Sequence, residues 1–346
     1  MAGHAYIGSF TSAGGRGLTT AAVDPRTGAL TTLGDTAVVP NPSFLALSSD
    51  GRTLYAVSEN EPEGAVAAFS LADPAAPAPL GAPVPVGGGA PTHLCVHRDH
   101  LITANYAAPG SISVVSLGPG GAPGALRSVL RHEGEGPNRA RQEAPHAHAV
   151  VPDPSGRWLL TVDLGTDSVR VCELPADGGE LEIERELGLR SGVGPRHLTF
   201  HPSGGHAYVV NELDSVVTVC GWDAEKGSLR PLSETRVLPE GTEAENYPSE
   251  VVVSPDGTFV WVANRGHDSI AVLALDESGE RLELIATVPC GGHWPRHLTL
   301  DPTGKRLYAA NERSGDVTWF DVDPADGIPR LAGSLPLPAV SCVLFD

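Results

Sequence analysis

The sequence predicts an all-β fold: a seven-bladed β-propeller of four-stranded antiparallel blades. Three observations carry this reading: one phrase returns seven times, its copies are spaced by about fifty residues, and the half missing from the last copy stands at the opposite terminus. The phrase is a proline, a short apolar strand, a tight turn, a second apolar strand and a short polar residue. Its copies open at Pro42 (PSFLALSSDGRTLYAVSE), Pro91 (PTHLCVHRDHLITANY), Ala147 (AHAVVPDPSGRWLLTVDL), Pro195 (PRHLTFHPSGGHAYVVNE), Pro248 (PSEVVVSPDGTFVWVANR), Pro295 (PRHLTLDPTGKRLYAANE) and Pro338 (PAVSCVLFD). The openings are 49, 56, 48, 53, 47 and 43 residues apart. Units of this length that hold four strands are propeller blades.

The seventh copy stops at Asp346, after its first strand. Near the other end, AYIGSFTSAGGRGLTTAAVD reads as a second strand, a turn and a third strand, so a unit running from Pro338 through both termini to Pro42 spans 50 residues. Joining the termini in one blade closes the ring. A linear solenoid would instead carry polar capping repeats, and neither end resembles one. With no internal linker, residues 1–346 read as one domain, although the length alone would allow two. In the copy at Pro195 the strands are expected at 197–200, 207–210, 216–222 and 229 to about 238, with turns at 201–205 and 223–228. The 41 glycines and 31 prolines suit many short strands joined by tight turns.

The formal charge of −19, from 42 acidic and 23 basic residues, argues against a nucleic-acid partner. The five cysteines are odd in number, widely spaced and without a C-x-x-C pair, so buried reduced thiols are expected rather than disulfides or a zinc site. The opening MAGHAYIGSF has no basic segment followed by an apolar run, and no stretch approaches a membrane span. A cytoplasmic protein with no membrane partner is the expectation; the oligomeric state stays open, and a monomer is compatible with everything above.

The first and second strands of a blade run in opposite directions, so the start of one and the end of the other lie on one face of the disc. In five copies 16 residues separate these landmarks (42 to 58, 147 to 163, 195 to 211, 248 to 264, 295 to 311). The later landmark holds Ser9, Ser58, Asn105, Asp163, Asn211, Asn264 and Asn311, short polar residues whose side chains bind nearby backbone; this column is structural. The next column does not repeat: Phe10, Glu59, Tyr106, Leu164, Glu212, Arg265 and Glu312. Neither does the post-proline column: Ser43, Thr92, His148, Arg196, Ser249, Arg296 and Ala339. A sevenfold scaffold needs no such variety, so the exceptions His148, Arg196, Glu212, Arg265 and Arg296, on the third to sixth blades, are candidates for a task at the mouth.

Arginine and glutamate at a rim are often only solvated pairs of little energetic weight. Three arginines and a histidine near one axis, however, repel one another unless an anion or carboxylates compensate them. That arrangement points to a small anionic ligand held by guanidinium forks. A further column, His93, His197 and His297, recurs in three blades and reads mainly as an inter-blade hydrogen bond. His146 precedes His148 by two residues, and the charged loop before it, RHEGEGPNRARQEAP, is either a lid carrying Arg139 and Arg141 or a solvated insertion.

The strings PHAHAVVPDPSG, VDLGTDSV, GPRHLTFHPSG, VVNELDS, YPSEVVVSPDG and VANRGHDSI, in this order, resemble the bacterial lactonase family of seven-bladed propellers. That family includes the propeller type of 6-phosphogluconolactonase and the fungal 3-carboxy-cis,cis-muconate lactonising enzyme. In the lactonising relative the residues proposed for the site are a histidine, two arginines and a glutamate. By motif these fall on His148, Arg196, Glu212 and Arg265, with His146 a rival for the first. His146, Arg296, His197 and Glu312 complete the expected substrate contacts.

The resemblance implies hydrolysis of a sugar-acid lactone such as 6-phosphogluconolactone, with no metal or cofactor. Arg196 and Arg265 would hold the anionic group and stabilise the oxyanion formed as water attacks the ring ester. His148 or Glu212 would take the water's proton; a neutral imidazole suits pH 7, which favours His148 with Glu212 orienting it. No G-x-S-x-G elbow is present, so a serine nucleophile is not indicated. The alternatives are cyclisation of a carboxylated muconate in the same pocket, or a non-catalytic propeller that binds an anionic metabolite or a protein.

Overall fold

The second strand of each blade is apolar at nearly every position, and a run of that kind is stable only when both faces of the sheet are covered. Thr53–Ser58 and Trp158–Asp163 are buried along their whole length, whereas the outermost strand Glu182–Gly188 is exposed at nearly every position. Burial therefore falls from the axis to the rim. A computed structural model, describing residues 3–176 and 178–346, shows seven antiparallel sheets arranged in this way. We number the blades from the copy at Pro42 (blade 1) to the copy at Pro338 (blade 7).

Blade 4 shows the plan: Pro195–Phe200 innermost, then His206–Asn211, Val216–Asp223 and Ser228–Arg236. These bounds lie within one or two residues of those expected. Blade 7 combines Val340–Phe345 with His4–Ser9, Leu18–Val23 and Leu30–Thr36. The two chain ends pair antiparallel, with Ala5 opposite Phe345 and Ile7 opposite Val343, so the N- and C-terminal strands share one blade.

Blade 1 departs from the pattern. Its outermost strand is broken into Ala78–Pro79 and Val84–Pro85, both paired with Ala65–Ser70. The segment LADPAAPAPLGAPVPV supplies the reason: proline has no N–H for the ladder, and five prolines in sixteen residues leave no continuous strand.

Seven apolar clusters hold the ring together, one between each pair of neighbouring blades. Tyr208, Val210, Val251 and Val262 pack between blades 4 and 5, and Tyr6, Leu18, Leu54 and Phe69 between blades 7 and 1. All five cysteines are buried and unpaired within these layers. No helix among the described residues is long and apolar enough to cross a membrane.

Gly8 marks how closely blade 7 meets blade 1. A Cβ at this position would stand 2.0 Å from the Pro42 carbonyl oxygen, an atom of the neighbouring backbone that has no freedom to withdraw. Gly8→Ala is expected to destabilise the ring by about 1–3 kcal/mol, as overpacking does elsewhere. A thermal melt should show a lower Tm than the wild type; an unchanged Tm would mean that the closing blade adapts freely.

Candidate functional site at one mouth of the ring

A main-chain clip positions the side chains at this mouth. In blades 2, 4, 6 and 7 the residue before the innermost strand has a left-handed backbone, Ala90 (φ 48°), Gly194 (58°), Trp294 (67°) and Ala339 (51°), and in blade 1 Asn41 (49°), upstream of Leu45–Leu47, does the same. Its carbonyl accepts the N–H of the residue just beyond the second strand, as in Glu212 N to Gly194 O (2.7 Å) and Glu312 N to Trp294 O (3.0 Å). The two variable columns are thereby held side by side. Beneath them the short polar column is tied to the sheet, Asn211 Nδ2 donating to Thr218 Oγ1 at 2.9 Å and Asn311 Nδ2 to Thr318 Oγ1 at 3.0 Å.

The mouth groups converge on Glu212, which is 3% exposed. Its Oε2 accepts from Arg265 (2.5 Å) and lies 3.2 Å from Arg196 Nε, while its Oε1 accepts from Arg141 at 2.5 Å. Arg265 Nε also donates to Tyr247 O at 2.9 Å, and an Arg196 guanidinium nitrogen donates to Ser249 O. Burial alone would raise the Glu212 carboxyl, but Arg265, Arg196 and Arg141 outweigh it and bring it down to about 2. Burial, with Arg265 and Arg296 nearby, lowers Arg196 to about 9, which leaves it a cation at neutral pH. Glu212 is therefore a fixed carboxylate that orders guanidinium groups. It has no hydrogen bond to His148, and the expectation that it orients the imidazole is replaced by one in which it orients the arginines.

His148 lies among these cations. Burial, followed by the charges of Arg196 and His197, holds its imidazole well below the usual histidine range. It is neutral at pH 7. Its Nδ1 is buried with no hydrogen-bond partner among the described residues, which leaves Nε2 for the mouth. His146 is differently engaged: Nδ1 faces Tyr106 O at 2.8 Å, Nε2 lies 3.2 Å from Glu143, and the ring stacks on Tyr106. Of the two rivals, only His148 keeps its ring nitrogens unengaged.

Arg296 and Glu312 form a second pair at 3.2 Å, joined by Glu59 at 3.7 Å and by the Phe10 ring 4.9 Å beneath the guanidinium. Ser43 donates to Glu59. Carboxylates thus compensate the cations that the sequence brings to the axis. His197 is turned to blade 5, where Nδ1 binds Glu250 at 2.9 Å, one layer below the mouth.

The loop 131–145 is exposed along most of its length but is anchored on this face at His132, Gln142 and Pro145. Gln142 is fully buried, its Nε2 donating to Leu164 O (2.9 Å) and Asp167 Oδ1 (2.8 Å), and this anchor carries Arg141 to Glu212. Arg139 takes no part; it pairs with Glu135 in solvent. Below the loop, His132 Nδ1 meets Asp163 Oδ2 at 2.6 Å, while Asp163 Oδ1 accepts from His146 N at 2.9 Å. Glu59, Arg141, Tyr106 and Tyr247 belong to the assembled site but not to the residues shortlisted from sequence. For Glu59 and Tyr106 the signal is present in the variable column. Among the described residues no cluster of three or more His, Cys, Asp or Glu side chains is arranged to hold a metal ion.

Known proteins share this fold. The sequence model of the family described as lactonase, 7-bladed beta-propeller, matches residues 4–345. The chain belongs to this family. It is 31% identical over 343 residues to the 6-phosphogluconolactonase of Bacillus subtilis strain 168, covering 98% of this chain and 97% of that one. It is 28% identical over 333 residues to the 6-phosphogluconolactonase of Formosa agariphila, covering 93% of each. Among solved structures, the periplasmic gluconolactonase of Pseudomonas aeruginosa superimposes with a TM-score of 0.94 at 27% identity, covering 100% of this chain and 99% of that one. In this member of the lactonase family, the mouth with Glu212 and His148 is the candidate active site.

The lowered carboxyl of Glu212 makes stability pH-dependent in one direction. The unfolded chain takes up this proton near the ordinary value of 4.5 and the folded chain only near 2, so the contribution of Glu212 is full above 4.5 and is lost as the pH falls toward 2. Glu212→Gln, which leaves buried guanidinium groups uncompensated, is expected to cost about 3–5 kcal/mol at pH 7. Urea titrations should show the gap between variant and wild type narrowing below pH 4.5. A gap that stays constant down to pH 3 would contradict this electrostatic account.

Proposed function

We propose that the chain hydrolyses an anionic sugar-acid lactone, with 6-phosphogluconolactone as the first substrate to test. The observation that carries this reading is a neutral buried imidazole, His148, beside guanidinium groups ordered by one buried carboxylate. The names of the relatives from Bacillus subtilis and Formosa agariphila support the same substrate class.

Differences in burial support a division of labour among the arginines. Arg196 and Arg265 have side chains only 3% and 8% exposed, so they suit the charge that develops on the acyl oxygen in a site shielded from water. Arg141 and Arg296 reach further into the mouth, at 34% and 18%, and suit the remote phosphate or carboxylate. His148 Nε2 removes a proton from the attacking water and returns it to the ring oxygen as the acyl–oxygen bond breaks. Glu212 stays ionised throughout and keeps the cations in register. The same proposal places the chain in the cytoplasm, on the ground that its five buried thiols are unpaired.

A panel of 6-phosphogluconolactone, unphosphorylated gluconolactone and 3-carboxymuconate tests the reading. Faster loss of the phosphorylated lactone than in buffer is expected, and hydrolysis at the spontaneous rate would remove the proposal. Muconate turnover would instead favour the lactonising reaction, and a raised Tm with 6-phosphogluconate but no turnover would favour binding alone. His148→Asn is expected to lower kcat by about 10²–10⁴-fold with a near wild-type Tm; an unchanged kcat would exclude His148 as the base.

A further inference from the structure

Lactone hydrolysis produces acid. The oxygen of water bonds to the acyl carbon, the acyl–oxygen ring bond breaks, the ring oxygen takes one of the water's protons, and the other is left on the carboxylic acid product, which ionises. Each turnover thus leaves one proton in a mouth covered by Arg141 and lined by cations, where a second positive charge is poorly tolerated. Below His148 the axis of the ring offers a way out that the hydrolytic chemistry just described does not use.

Directly beneath the mouth, one axial layer holds Phe44, His93, His197, Glu250 and His297. The His148 and His197 rings meet edge to face with centroids 5.2 Å apart, so a ring rotation can bring a nitrogen of one toward a nitrogen of the other. His148 Nδ1 and His197 Nε2 are both buried and both lack a hydrogen-bond partner among the described residues. Ring nitrogens of His97, His100, His132 and His206 are buried without a partner among the described residues as well; what sets His148 and His197 apart is that their rings are adjacent at the axis. The other nitrogen of His197, Nδ1, lies 2.9 and 3.0 Å from the two oxygens of Glu250 and so carries its hydrogen toward that carboxylate. On the far side, His297 Nε2 lies 3.5 Å from Glu250, and His297 Nδ1 accepts from Val343 N at 3.5 Å.

Two residues of this layer also line a cavity. Phe44 and His297, together with Leu47, Val96, Arg98, Thr299 and Leu344, line a space of about 510 Å³. Leu47, Val96, Thr299 and Leu344 stand near the far ends of their innermost strands, so this cavity opens at the face opposite the mouth. The groups facing Glu250 are His93, His197, His297 and Arg196, and those facing His148 are Arg196, His197, Arg265 and Arg296. The cations on the mouth side repel an arriving proton, and the Glu250 carboxylate of the layer beneath attracts it.

We infer that His197 and Glu250 form a proton exit from His148 through the axis of the propeller to the lower cavity, with His297 holding Glu250 in place. The inference rests on the hydrolase reading above. His148 accepts the product's proton at Nε2 and releases the one at Nδ1; His197 accepts that proton at Nε2 and passes its Nδ1 hydrogen to Glu250; solvent reaching the Glu250 side chain, which is 11% exposed, takes it from the carboxyl group, and rotation of the two rings restores the starting tautomers. No bond other than N–H and O–H is made or broken along this path, and the charge moved is one proton. Burial raises the Glu250 carboxyl above the ordinary range, with His297 and Arg196 opposing, which suits it to hold a proton in transit. None of these three residues meets the substrate; they are positioning residues that act through His148.

The test compares wild type with Glu250→Gln, which keeps the shape but cannot pass a proton, using a phosphorylated and an unphosphorylated lactone at low buffer concentration. A roughly tenfold or greater fall in kcat with KM within about twofold is expected, and added imidazole should restore kcat in the variant alone. Wild-type protein without turnover on either lactone overturns the hydrolase reading and the exit with it. Wild-type turnover together with an undiminished Glu250→Gln, or a loss that imidazole does not restore, overturns the exit alone. If circular dichroism shows that Glu250→Gln does not fold, His197→Gln is measured by the same criteria.

Discussion

Each blade buries both faces of its inner strands against its neighbours, and no blade has a core of its own. The seven apolar clusters are all inter-blade layers, so every sheet depends on two others and the chain of dependence ends only when the ring closes. Pairing of His4–Ser9 with Val340–Phe345 meets that requirement by making the last blade from both ends of the chain. The consequence for the site is rigidity. Side chains that point to the axis come from strands fixed on two sides, which is the kind of support that precise placement of charged groups requires.

Charge at the mouth follows the same logic of mutual support. A buried guanidinium is costly without a partner, and a buried carboxylate equally so, yet the cluster of Arg141, Arg196, Arg265 and Glu212 balances cation against anion within a few ångströms. Because the three arginines share one carboxylate, hydrogen-bonding capacity remains for an incoming anion. The arrangement also separates roles that the sequence leaves ambiguous. A glutamate clamped by cations is a weak base at neutral pH, whereas the imidazole is held in its neutral form with a lone pair available, although the same cations weaken its basicity.

Much of this was legible in the sequence because the fold is periodic. The strand bounds of blade 4 and the shared terminal blade follow from aligning seven copies, and the site stands out as the places where the copies differ. What escaped was whatever no period records. The Arg141–Glu212 contact joins residues 71 apart through a loop present in one blade only. Glu59 stands in the variable column, but its pairing with Arg296 on blade 6 depends on which side chains lean toward the axis. The unpaired charges suggested by three arginines and a histidine became a compensated cluster for the same reason. The broken outer strand of blade 1 was written in its prolines, yet a fourth strand is the weakest part of the repeat and gave no apolar pattern to interrupt.

The clip that joins Glu212 N to Gly194 O, and its counterparts in other blades, is made by backbone atoms alone. The side chains at those positions therefore owe nothing to the scaffold: Phe10, Glu59, Tyr106, Glu212 and Glu312 occupy equivalent seats with quite different chemistry. The backbone seat stays put whatever side chain fills it, while charged occupants that share partners, such as Glu212 and its arginines, have to change together. A ring built this way can be retuned from one small acid to another by exchanging sets of side chains without rebuilding the backbone, which offers a structural route to diverse substrates among proteins that share this frame.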